Sequence, residues 1–106
     1  MKTIKGTIDC TQTKDIPVGS VVFIYVMRND KVAGSQTLQS ISHFPFSYTV
    51  DIDEHMFDEA GKCSIRISIE NGENTLFING NGMTTLHKND DIEHLDIAVH
   101  TFNNNN

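Results

Sequence analysis

Residues 44–52 read FPFSYTVDI, and residues 62–70 read KCSIRISIE. In both, apolar side chains fall at every second position: Phe44, Phe46, Tyr48, Val50 and Ile52 in the first, Cys63, Ile65, Ile67 and Ile69 in the second. A two-residue period turns one face of an extended strand towards a core and the other towards water, whereas a helix would scatter the same residues around its axis. The fold must therefore stack strands, each with one apolar stripe, around a common interior.

The rest of the chain continues in this style. TIKGTIDC puts Ile4, Ile8 and Cys10 on one face, with Gly6 where another backbone approaches closely. Turn formers around Pro17 and Gly19 precede an apolar run, RNDK follows it, and VAGSQTLQSI reads as a polar, exposed strand that completes a hairpin. NGEN marks a second hairpin, TLFING and GMTTL are short strands joined by Asn and Gly, and EHLDIAVHTF is the last strand, with Leu95, Ile97 and Val99 inward. The acidic stretch DEHMFDEAG offers only Met56 and Phe57 as apolar points and is expected to form one helical turn across an end of the core. Seven to eight short strands with no long helix predict an all-β fold, here an antiparallel β-sandwich of two packed layers.

One segment departs from alternation. Residues 21–27, VVFIYVM, are all apolar or aromatic, so Val21, Phe23, Tyr25 and Met27 lie on one face and Val22, Ile24 and Val26 on the other. In a two-layer sandwich only one set enters the core, and the other needs cover from the acidic loop, the tail, or a partner. The expectation is that Val22, Ile24 and Val26 form the binding surface, engaging a protein partner or a second copy of the chain.

At 106 residues the chain is long enough for one core, taken as residues 1–102, followed by an Asn-rich tail at 103–106 expected to be disordered. Eight Lys and Arg against fourteen Asp and Glu give a net charge of −6, and the positive residues are scattered, which argues against nucleic acid as a partner. The start, MKTIKGTIDC, has no apolar leader run, and no stretch is long and apolar enough for a membrane span; a cytoplasmic protein is expected. Cys10 and Cys63 then stay as buried free thiols, and neither has the CxxC spacing of a zinc or redox site.

Candidate chemistry is sparse. His94, Asp96 and His100 share a face of the expected last strand and are the residues to consider for a metal, with His87 as a more distant third donor. Asp51, Asp53, Glu54, Asp58 and Glu59 surround His55, but their spacing does not fit a calcium-binding EF-hand loop. Asp90, Asp91 and Glu93 lie near His94 without a nucleophile. There is no GxSxG elbow, GxGxxG turn or phosphate-binding loop. The reading is a protein that is not an enzyme and needs no cofactor; the alternative is a small metal- or acid-dependent hydrolase using His94, His100 and the acidic loops.

With the strands placed, GTI, IPVGSVVFIYV, FPFSYTVDID and ISIENGENTLF together resemble the type III secretion pilotins and related small lipoproteins that chaperone secretins. Ile16, Pro17 and Gly19 match the turn before the second strand, Pro45, Phe46 and Tyr48 the middle strand, and Gly72, Leu76 and Phe77 the later hairpin. The resemblance implies an immunoglobulin-like or transthyretin-like sandwich that binds another protein and catalyses nothing. Those lipoproteins begin with a signal sequence and a lipidated Cys; MKTIKG shows neither, so the expectation is a cytosolic relative with the scaffold retained and the client changed.

Overall fold

The computed structural model describes residues 2–53 and 55–102. They form eight strands: β1 (Lys2–Asp9), β2 (Val21–Arg28), β3 (Lys31–Gln39), β4 (Phe46–Ile52), β5 (Lys62–Asn71), β6 (Asn74–Asn79), β7 (Thr84–His87) and β8 (Ile97–Thr101). No helix occurs among the described residues. After β4, where one helical turn is expected, the described residues close two separate turns, the Met56 amide donating to the Asp53 carbonyl and the Gly61 amide to the Asp58 carbonyl, and Met56 is fully buried. The Asn-rich tail lies outside the described residues.

Alternation sets the interior. Phe46, Tyr48, Val50 and Ile52 of β4 are buried and Ser47, Thr49 and Asp51 between them exposed. On β5, Cys63, Ile65, Ile67 and Ile69 face in. β2 lies between β3 and β5, antiparallel to both, and pairs Val22 with Ile69, Ile24 with Ile67 and Val26 with Ile65. Each of these β-branched side chains contributes roughly 1.5–3 kcal/mol by leaving water.

The layers differ from the expected sandwich. The strands follow the order β3-β2-β5-β6-β8-β1-β4 in one continuous sheet, with β7 paired to β5, so the sheet winds on itself into a nearly closed barrel. Its two edge strands meet where the Asp53 amide donates to the Ala33 carbonyl at 3.1 Å. Neither an immunoglobulin-like nor a transthyretin-like pair of separate layers is resolved in this winding. A barrel this small needs side-chain-free positions where backbones crowd, and the chain has them. At Gly6 an added Cβ would collide with the Leu95 carbonyl, and at Gly34 with the Asp51 carbonyl at the seam between β3 and β4.

One buried polar residue repairs the ladder. β5 is paired by β7 up to Ile65 and by β6 from Ser68 onward, leaving a gap at Arg66 and Ile67. The fully buried Asn79 fills it: its carboxamide accepts from the Ile67 amide at 2.8 Å and donates to the Ile65 carbonyl at 3.0 Å and to Thr84 Oγ1 at 2.8 Å. The side-chain amide thus reproduces a missing strand rung, satisfying two backbone groups that burial would otherwise leave unpaired.

Candidate binding surface

The two stripes of β2 are exchanged relative to expectation. Val22, Ile24 and Val26 are all 0% exposed and form the inner stripe, so they offer no contact surface. Val21, Phe23, Tyr25 and Met27 point outward: Tyr25 is 39% exposed, and the other three are half-buried. Tyr25 carried the signal that distinguishes the stripes, because a phenol buried in an all-aliphatic interior would need a hydrogen-bond partner, and water supplies one outside. The inner residues also match the β5 isoleucines in shape and parity.

Around the outer stripe the surface is mostly small and polar. Residues opposite it are Gln39, Thr37, Ser35 and the exposed Val32 on β3 and Glu70, Ser68, Arg66 and Ser64 on β5. Val21 and Phe23 are half-buried there, while Tyr25, in register with Arg66, is accessible. The result is an apolar ridge in a polar field, suited to contact with another protein surface. Near its start the ridge runs into a cleft lined by Val18, Val21, Gln39 and Ile41, with Val18 standing 96% exposed at the rim. A second cleft mixes Lys2, Lys5 and Lys88 with Asp90 and Glu93 around Phe57 and Ile92, so it presents no single sign of charge.

The proposed metal donors do not converge. β8 begins only at Ile97, so His94 stands in the preceding loop, where it pairs with Asp91 at 3.0 Å. That contact, with a backbone hydrogen bond from Glu93, holds the Asp91 carboxyl below its ordinary range. Asp96 accepts from the Thr7 amide at 2.9 Å and from the Thr7 hydroxyl at 3.0 Å, tying the loop to β1. His100 does face outward on β8, and its two ring nitrogens lie 2.7 Å from the Gly80 carbonyl and 3.0 Å from the Thr101 carbonyl. Two acceptors on one imidazole favour the doubly protonated ring, so its pKa is raised. His87 ends β7, opposite Lys62. Among the described residues no group of three His, Cys, Asp or Glu is placed to hold a metal.

Burial governs the remaining titratable groups. The Tyr48 hydroxyl donates to the Leu95 carbonyl at 2.7 Å beneath the loop that crosses β1, and desolvation, with the nearby Asp96 charge, pushes its pKa up. Cys10 and Cys63 are both free and buried. Desolvation first, then the Asp58 and Asp90 charges, push the Cys63 thiol up to about 11, which suits packing rather than nucleophilic chemistry.

No family model and no curated protein matches the chain. Among solved structures it is similar to an alternative pilotin from the type II secretion system of Vibrio cholerae, with a TM-score of 0.76 over 96% of this chain and 97% of that one, at 15% sequence identity. The fold is pilotin-like. Because that neighbour serves a type II system, the resemblance to type III pilotins is met at the level of architecture and not of the particular family. No helix among the described residues is long and apolar enough to cross a membrane.

Proposed function

We propose that this chain is a non-enzymatic binding module of the pilotin kind, an accessory protein that engages a protein client of a secretion system. The observation that carries the reading is the match in fold over nearly the whole of both chains. The outward ridge of Val21, Phe23, Tyr25 and Met27 supports it, because these side chains offer contact area that the chain itself leaves partly uncovered. Self-association through a sheet surface would likewise have to use this ridge, since Val22, Ile24 and Val26 are inside.

Proximity labelling from the tagged chain in its native host tests the reading. The expected result is enrichment of a secretion-machine component, reduced when Tyr25→Ser and Phe23→Ser are combined. Labelling indistinguishable from that of an inert β-barrel expressed at the same level would overturn it. Sedimentation of the purified chain across a hundredfold concentration range separately reads out any self-association.

A further inference from the structure

Away from the seam with β4, the strand β3 that ends the sheet is left open. In the β2–β3 ladder Val22 faces Leu38, Ile24 faces Gln36 and Val26 faces Gly34. The Thr37 amide instead turns away from β2, where the Gln36 side chain accepts from it at 3.0 Å. By the alternation of an antiparallel pair, the backbone groups of Ser35, Thr37 and Gln39 all point off the edge. Only Ala33, further along, finds a partner across the seam, in Asp53. From residue 35 to 39 the edge has no backbone partner among the described residues.

Free edges are ordinarily protected by charges, proline or a cover. Among the described residues this one carries no charge or proline from 32 to 39, and its one shield is the Gln36 carboxamide on the Thr37 amide, which a pairing strand would displace. Residues 32–50 contain no Lys, Arg, Asp or Glu, the longest such run in a chain of net charge −6, and they span the whole open part of β3. At its Gln39 end the edge leads into the cleft of Val18, Val21 and Ile41; at its other end Asp51 and Asp53 lie against Gly34 and Ala33, ahead of Lys31 at the start of β3. Backbone partners, an apolar terminus and an acidic terminus therefore follow one another along a single line.

Resting on the binding-module reading above, we infer that the β3 edge takes an extended segment of the client as an added antiparallel strand. That segment is uncharged where it pairs with residues 35–39, places an apolar side chain at its N-terminal end in the cleft, and carries basic residues at its C-terminal end near Asp51 and Asp53. Main-chain hydrogen bonds supply the affinity of such an addition, and the cleft and the acidic end supply its direction. A second copy of the chain is the poorer occupant: with two β3 edges paired antiparallel, the uncharged Gln39 end of one would lie near Asp51 and Asp53 of the other, so the copies would bring no basic end to meet them.

The probe is the acetylated, amidated peptide Val-Thr-Val-Thr-Val-Thr-Lys-Lys, titrated into the intact chain and followed by amide hydrogen exchange and by amide and methyl chemical shifts. Saturation is expected to slow exchange at Ser35, Thr37 and Gln39 at least tenfold and to shift the Val18, Val21 and Ile41 methyls. The same peptide N-methylated at alternate residues is expected to lose binding at least tenfold. Thr37→Pro, which removes a donor aimed away from β2, is expected to weaken binding as much while the β2–β3 ladder persists.

Equal binding by the N-methylated peptide, or protection at strands other than β3, would overturn the inference, and neither readout depends on a variant folding. Protection of the edge that grows with protein concentration in the absence of peptide would assign it to a second copy and overturn the client. A secretion component labelled equally by wild type and by folded Thr37→Pro would sink the edge while leaving the binding-module reading in place.

Discussion

The inner and outer faces of β2 are made of similar residues and do different work. Val22, Ile24 and Val26 meet the isoleucines of β5 and vanish from solvent, whereas Val21, Phe23, Tyr25 and Met27 sit among Ser, Thr, Gln and Arg. Apolarity alone therefore says little about where a strand residue goes. What decides is the face of the neighbouring strand: the buried stripe is the one in register with the isoleucines of β5.

The contrast is tested most severely at its centre. Ile24→Ala should destabilise the fold by about 2–5 kcal/mol in chemical denaturation, because a well-packed interior cannot close over the lost methyl groups. A cost below about 1 kcal/mol would mean that β2 is not central. Asn79→Ala should follow at about 2–3 kcal/mol, since it strands the Ile67 amide and the Ile65 carbonyl in the interior. Asn79→Asp, which keeps the acceptor for Ile67 but loses the donor to Ile65, is a sharper check on the same rung.

Cys63 and His100 extend the comparison to pH. The unfolded thiol of Cys63 titrates near its ordinary 9.0 and the folded one near 11, so above pH 9 the unfolded chain sheds a proton that the folded chain keeps. Stability should fall as pH rises from 9 through 11, and that part of the slope should disappear in Cys63→Ser. At pH 9 the folded thiol should react with a disulfide reagent roughly fiftyfold more slowly than an unfolded thiol, in line with its smaller thiolate fraction.

On the outer side the effects shrink. Tyr25→Ser should alter stability by no more than about 0.5 kcal/mol while reducing client labelling; a large loss of stability would show that the ridge is structural. His100 should titrate above the ordinary 6.5 by NMR, and replacing it with Gln should leave the melting temperature nearly unchanged at neutral pH. The folded imidazolium is favoured below its raised pKa, so any stabilisation from its two carbonyl contacts is lost as pH rises through that value.

The limits of sequence reading show at particular residues. The hairpin through Asn29 and the alternation of β4 and β5 were readable because each depends on a few neighbours along the chain. A two-residue period continued backwards from Val99 aligns His94, Asp96 and His100 on one face. The strand instead starts at Ile97, after a loop held to β1 through Lys5 and Thr7. Asn79 looked like one of several turn asparagines, and its role depends on two strands, β6 and β7, ending against the same partner.

What the sequence by itself determined was local: an all-β chain, the parity of its main strands, the residues of β4 and β5 that face inward, and a glycine where backbones cross at Gly6. These follow from the two-residue period and from which backbone angles and side-chain volumes a residue permits. Only the tertiary structure decided which stripe of β2 is inside, that the sheet winds into a nearly closed barrel, and that the edge of β3 stays open. Each of those depends on which strands become neighbours across long stretches of chain, and pairing partners are selected by the packing of the whole interior rather than by any one segment.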